Sequence, residues 1–122
     1  MVAAMAPEPL KRLVRATVIS LIGLRDVYRS EPAFRQELLV LLVVIPAAWL
    51  LTSTGAERAL LIGSWMLVIV IEMVNSAIEA AIDRIGQERH KLSRKAKDCG
   101  SAAVFCAIVL SVVVWILVLV SR

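Results

Sequence analysis

Residues 59–82 read ALLIGSWMLVIVIEMVNSAIEAAI, and Asp83 and Arg84 follow at once. From Ala59 to Ile71 there is no charge; after that the apolar run is broken by Glu72, Asn75, Ser76, Glu79 and Asp83. On a helix turning about 100° per residue, these five fall within roughly 60° of one line. The stretch exceeds the roughly 20 residues needed to cross a hydrocarbon core about 30 Å thick. Glu72 then sits about 16 Å from the charged end, at 1.5 Å of rise per residue. A carboxylate at that depth is costly unless it is protonated, paired or wet. A polar seam joining helices would account for Asn75 and Ser76 alone. Aligned carboxyls that open toward a charged boundary point instead to chemistry.

Working outward, the same solvent suits the rest of the chain. Of its 122 residues, 60% are hydrophobic, and the mean hydropathy is +0.83. A soluble domain of this size cannot hide so much apolar surface. Upstream, Pro32 to Leu51 carries LLVLLVVIPAAWLL (residues 38–51) behind Phe34, Arg35, Gln36 and Glu37. This predicts a first span over 32–51, with Ser30 as its cap, Pro32 in its first turn and Pro46 as a bend that membrane helices tolerate. TSTGAER, residues 52–58, predicts a short turn before a second span over 59–83. Residues 84–97 predict a charged loop with Ser93 capping the next helix, and 98–120 a third span with Trp115 as an interfacial anchor near its far end. Residues 9–29 predict an amphipathic helix lying in the interface. Leu10, Leu13, Val14, Thr17, Leu21, Leu24 and Tyr28 recur at helical spacing opposite Lys11, Arg12, Arg15, Arg25 and Arg29. The fold class is an all-α membrane protein forming a single domain.

The charges set an orientation. Of the 14 Lys and Arg, six fall in residues 11–35 and six in 84–97, leaving Arg58 and Arg122 elsewhere. That placement excludes a nucleic-acid face and predicts both clusters on the cytoplasmic side, with the 52–58 turn and the C-terminus opposite. Met1 to Leu10 holds two prolines and no apolar core, so no secretory leader is expected. Cys99 and Cys106 share one helix face and fit no metal spacing; buried free thiols are expected.

The chemistry these residues can run is narrow. No GxxxxGK loop is present, and His90, the one histidine, leaves no Ser/His/Asp or Cys/His set. What remains is hard oxygen ligands suited to Mg²⁺ on nucleotide phosphates, with Lys and Arg to neutralise charge in phosphoryl transfer. A carboxylate in apolar surroundings is a better proton acceptor for a hydroxyl. At the depth of Glu72 that hydroxyl must come from a lipid.

Three stretches carry a resemblance: EPAFRQE (Glu31 to Glu37), EMVNSAIEAAIDR (Glu72 to Arg84) and KAKDCGSAAV (Lys95 to Val104). From Lys11 onward the chain resembles the prokaryotic diacylglycerol kinases, small inner-membrane enzymes with three spans. The resemblance implies transfer of the γ-phosphate of ATP to diacylglycerol, Mg²⁺ as cofactor, and a homotrimeric bundle with sites shared between subunits. It implies Glu72 as the catalytic base with Asn75 supporting it, and Glu31 and Glu79 as ligands of nucleotide-bound Mg²⁺. Lys97 and Asp98 fall in the implied nucleotide site, together with the loop Glu88, Arg89 and His90. Arg12 resembles a phosphate and lipid contact. Arg35, Gln36 and Glu37 lie along the implied lipid-entry side, with Ser101 near the headgroup and Trp115 on the lipid. Ile19 stands where many relatives carry a nucleotide-contacting tyrosine. A sister group phosphorylates undecaprenol, and AFRQE with the long basic helix favours diacylglycerol. Small proton-coupled transporters, the reading from another class, have four spans with a lone acid in the first.

Overall fold

The computed structural model describes residues 5–122; Met1 to Ala4, the start of the stretch expected to hold no leader, lie outside it. Four helices follow one another: α1 (Glu8–Ser30), α2 (Pro32–Leu51), α3 (Gly55–Ile85) and α4 (Lys91–Val120). Three of them, α2, α3 and α4, are long and apolar enough to cross a membrane. At 1.5 Å per residue α2 just spans the core, whereas α3 and α4 run to about 45 Å and stand clear of it at one end or both.

The helices pack α2–α3–α4, with α3 in the middle. Each central face is a narrow stripe. On α3 it is Leu61, Val68, Ile69, Glu72 and Asn75; on α2, Phe34, Glu37, Val44 and Ala48. On α4 the buried residues are Gly100, Ala107 and Ser111, all small. Small side chains bring two backbones together without a hydrophobic drive, which lipid does not supply. Ser64 and Ser111 then hydrogen-bond across that contact at 3.0 Å, and Trp115 Nε1 donates to the Leu61 carbonyl at 3.2 Å. Leu39, Leu42, Leu50, Phe105 and Ile116 are among the many large apolar side chains left exposed. Water would not tolerate such a surface; lipid and neighbouring protein do.

The helix ends differ from those expected. Ser30 belongs to α1, where its hydroxyl donates to Asp26 O at 2.9 Å. The break falls at Glu31, extended at φ −115° and ψ 105° and giving α2 no side-chain cap. Pro32 explains it, since a following proline pushes a residue out of the helical region. The second span starts at Gly55, not 59, because Thr54 caps it by accepting from Glu57 N at 3.1 Å; a cap of this kind contributes about 1 kcal/mol. The loop expected over 84–97 shrinks to Gly86–His90. His90, rather than Ser93, caps α4, its Nδ1 accepting from Leu92 N at 3.0 Å. Helix α2 runs through Pro46. Cys99 and Cys106 are exposed rather than buried, because the face of α4 that meets α3 is the one carrying Gly100 and Ala107.

Arginines close two of the helix C-termini. Arg35 Nη1 donates to Tyr28 O at 2.7 Å and to Arg29 O at 3.2 Å, satisfying carbonyls that the last turn of α1 leaves free. Arg58 does the same for α2, donating to Thr52 O at 3.0 Å while its guanidinium stacks 3.8 Å from the Trp49 ring centroid. At the far end Arg122 pairs with Glu57 at 3.0 Å and donates to Ser53 Oγ at 2.8 Å.

Candidate active site

The polar stripe of α3 meets a different neighbour at each turn. Glu72 and Asn75 are buried, 6% and 7% exposed. On the facing helix α2, Glu37 is buried too, at 8% exposed. Trp65 Nε1 locks this level by donating to the Glu37 carbonyl at 2.9 Å. One turn on, Asn75 Nδ2 donates to Glu79 Oε1 at 3.4 Å, and Ser76 Oγ donates to Glu31 Oε1 at 3.2 Å. The break at Glu31 thus delivers a carboxylate to the stripe from the end of α1. Glu31 and Glu79 are thus tied to the stripe through Ser76 and Asn75.

Asn75 is held from the other side by Gly100. A Cβ at position 100 would collide with the Asn75 side-chain oxygen, so the absence of one lets α4 close over the amide. That oxygen is buried and has no hydrogen-bond partner.

Nearer the charged end, Lys97 Nζ donates to Asp83 Oδ1 at 2.7 Å. Both side chains are substantially exposed, at 43% and 58%, so the pair is screened by solvent and easily exchanged for another anion. It borders a cleft of about 550 Å³ whose lining includes Glu88, Arg89, His90, Arg94, Lys97 and Asp98. Its cations suit phosphate, and its size suits a nucleotide portion.

One chain therefore brings together Glu31, Glu37, Glu72, Asn75 and Glu79 in one group, and Glu88, Arg89, His90, Lys97 and Asp98 in another beside it. Arg12 and Ile19 lie exposed on α1, a helix with no buried residue, and neither meets these groups. Ser101 is exposed next to Gly100. Trp115 is bound to Leu61, about 16 Å along α3 from Glu72 at 1.5 Å per residue, so it does not reach the site of its own chain. Arg35 clamps the end of α1. Gly100, Ser76 and Asp83 complete the arrangement. Only the stripe hinted at the last two, and a glycine among the small residues of α4 gave no signal of its own.

The family model for prokaryotic diacylglycerol kinase matches residues 18–119. The chain belongs to the prokaryotic diacylglycerol kinase family. A diacylglycerol kinase of Pseudomonas aeruginosa is 46% identical over 123 residues, covering 96% of this chain and all of that one. One of Escherichia coli (strain K12) is 50% identical over 112 residues, 91% of each, and one of Haemophilus influenzae is 44% identical over 106 residues, 87% and 90%. Membership makes the chain a lipid kinase of a bacterial membrane and implies use of ATP. Neither undecaprenol phosphorylation nor transport is favoured by these similarities.

Proposed function

We propose that the chain transfers the γ-phosphoryl group of ATP to the free hydroxyl of diacylglycerol, giving phosphatidic acid and ADP. The observation that carries this reading is the buried Glu72, about three turns of α3 from Asp83 at the edge of a basic cleft. Glu72 accepts the hydroxyl proton as the lipid oxygen attacks phosphorus; Asn75 and Gly100 fix the local geometry. Lys97, Arg89 and Arg94 hold the phosphates, exchanging Asp83 for nucleotide oxygen.

A magnesium ion fits the donor set. Among the described residues no three metal-ligating side chains converge, yet Mg²⁺ is commonly held by one or two carboxylates with phosphates and waters completing its shell. Glu31 and Glu79, tied to α3 through Ser76 and Asn75, are such a pair. Bound there, the ion neutralises charge on the transferring phosphates. Glu79→Gln and Glu31→Gln are expected to lose activity, with raised Mg²⁺ partly restoring the milder variant. Full activity with unchanged Mg²⁺ dependence would remove both residues from the metal site.

Three helices cannot enclose this site, and the far placement of Trp115, Arg12 and Ile19 leaves them for neighbouring copies. We read the assembly as a homotrimer of the inner membrane, with the N-terminus and the 86–90 loop cytoplasmic. In a chain freed of Cys99 and Cys106, Ala56→Cys is expected to react with an impermeant thiol reagent outside intact cells and Lys91→Cys only after lysis. Reversed labelling would invert the topology. The activity itself is tested on the detergent-purified protein. Native mass spectrometry should find three copies, and labelled phosphate should pass from ATP to diacylglycerol much faster than to undecaprenol. A preference for undecaprenol would move the chain to the sister reaction, and no transfer to either lipid would end the reading.

A further inference from the structure

Pro46 divides α2 into two parts that are held in different ways. It lies inside the helix yet has no N–H for the carbonyl of Leu42, four residues back, so the helix can flex there. The far part, 47–51, is fixed twice over. The short 52–54 turn joins it to α3, and Arg58 of α3 donates to Trp49 O at 3.4 Å and to Thr52 O at 3.0 Å. The near part, 32–45, carries the buried Phe34 and Glu37 and leads back to Glu31, whose carboxylate accepts from Ser76 at 3.2 Å. That bond runs through a side chain with three rotatable bonds, so it does not fix the α2 backbone.

Trp65 does. It stands on α3 seven residues before Glu72, on the same face and about 10 Å away along the axis. Its half-buried indole donates Nε1–H to the backbone carbonyl of Glu37 at 2.9 Å. That carbonyl already belongs to the α2 ladder and offers its second lone pair. A rigid side chain with only two torsions thus grips the backbone of the near part directly.

We propose that Trp65 is a positioning residue for the phosphoryl transfer. It anchors the near part of α2, which Pro46 leaves pliant, at one level on the face of α3 that bears Glu72. Without the anchor the near part slides, and it takes the wall facing α3 and the Glu31 carboxylate with it. The basic cleft stays as it is, because its lining, from Ile82 to Asp98, comes from α3, the 86–90 loop and α4 alone. The proposal rests on the reading of Glu72 as base.

Trp65→Phe keeps a ring and removes the donor. It is expected to lower kcat about tenfold, the scale of a misplacement below 1 Å, with KM for ATP within about twofold of the parent. Hydrogen–deuterium exchange read by mass spectrometry reports the anchor without turnover: it should quicken in residues 32–45 and stay parental in α4. Pro46→Ala restores the missing backbone bond and should change little by itself. Combined with Trp65→Phe it should return kcat to within about threefold of the parent, the mark of two coupled sites. Exchange in 32–45 should slow again in that double variant, because an unbroken helix transmits the hold of its far end. Parental kcat in Trp65→Phe overturns the proposal, as does a double variant no better than Trp65→Phe. Exchange that quickens evenly over all the helices also overturns it and reduces Trp65 to general packing. Should Trp65→Phe fail to assemble, 3-benzothienylalanine placed at position 65 by amber suppression puts sulfur for N–H in a ring of the same shape, and the same outcomes decide. An active Glu72→Gln protein would instead bring down the base reading, while the exchange of 32–45 still reports the anchor.

Discussion

Glu72→Gln is expected to fold, assemble and bind nucleotide while losing nearly all kinase activity. Gln has the shape of the carboxyl, but it cannot take up a proton. General base catalysis contributes about 10²- to 10⁴-fold, and disturbed positioning of the lipid hydroxyl adds to the loss. The competing explanation of a buried Glu is a helix-joining role. Its prediction differs: a variant that dissociates or unfolds in detergent. Size exclusion, nucleotide binding and turnover measured on one preparation separate the two, and an intact, fully active Glu72→Gln protein would refute the catalytic role.

Gly100→Ala should be nearly as damaging, although position 100 touches no substrate. The added methyl meets the Asn75 amide head-on, so either α4 backs away from α3 or the amide leaves its place beside Glu79. Overpacking of this kind costs about 1–3 kcal/mol, and misplacing a catalytic support by about 1 Å costs on the order of 10²-fold in rate. A drop in unfolding temperature together with a fall in kcat is the expected pair of results. Ala107→Gly, at the next buried position on the same face, serves as the control and should lower stability with far less effect on rate. If Gly100→Ala turned over at the parental rate, the close approach would be packing alone.

The spans were legible because apolar runs of this length have one use, and the stripe on α3 was legible because helical period alone aligns Glu72, Asn75, Glu79 and Asp83. Their partners were not. Ser30 and Ser93 look like caps, as a serine before a proline or within a charged run often does. Yet Ser30 bonds back within its own helix, and His90 had already started α4 before Ser93. Arg35 reads from sequence as a residue facing lipid; only the fold turns its guanidinium back onto the carbonyls of α1. Gly100 is one small residue among several, and its meaning depends on which amide lies across from it. The hydrogen bond from Trp65 to the Glu37 carbonyl joins residues 28 positions apart, whose register depends on how α2 slides along α3. No local pattern fixes that slide; Trp65 reaching Glu37 does.

The junction at Glu31 has a consequence for anyone mapping this chain by mutagenesis. One residue ends α1, starts α2 and offers its carboxylate to Ser76, which would seem to make every substitution there ambiguous. The three tasks are separable, however. An extended backbone at φ −115° suits any side chain, and it is Pro32 that enforces it. Swapping the side chain at 31 therefore perturbs the charge and leaves the corner standing. Removing the ring at 32 does the reverse, inviting the interfacial helix and the first span to fuse into one straight rod. Phenotypes at two adjacent codons thus report on two different things, the electrostatics of the pocket and the angle at which the chain enters the bilayer.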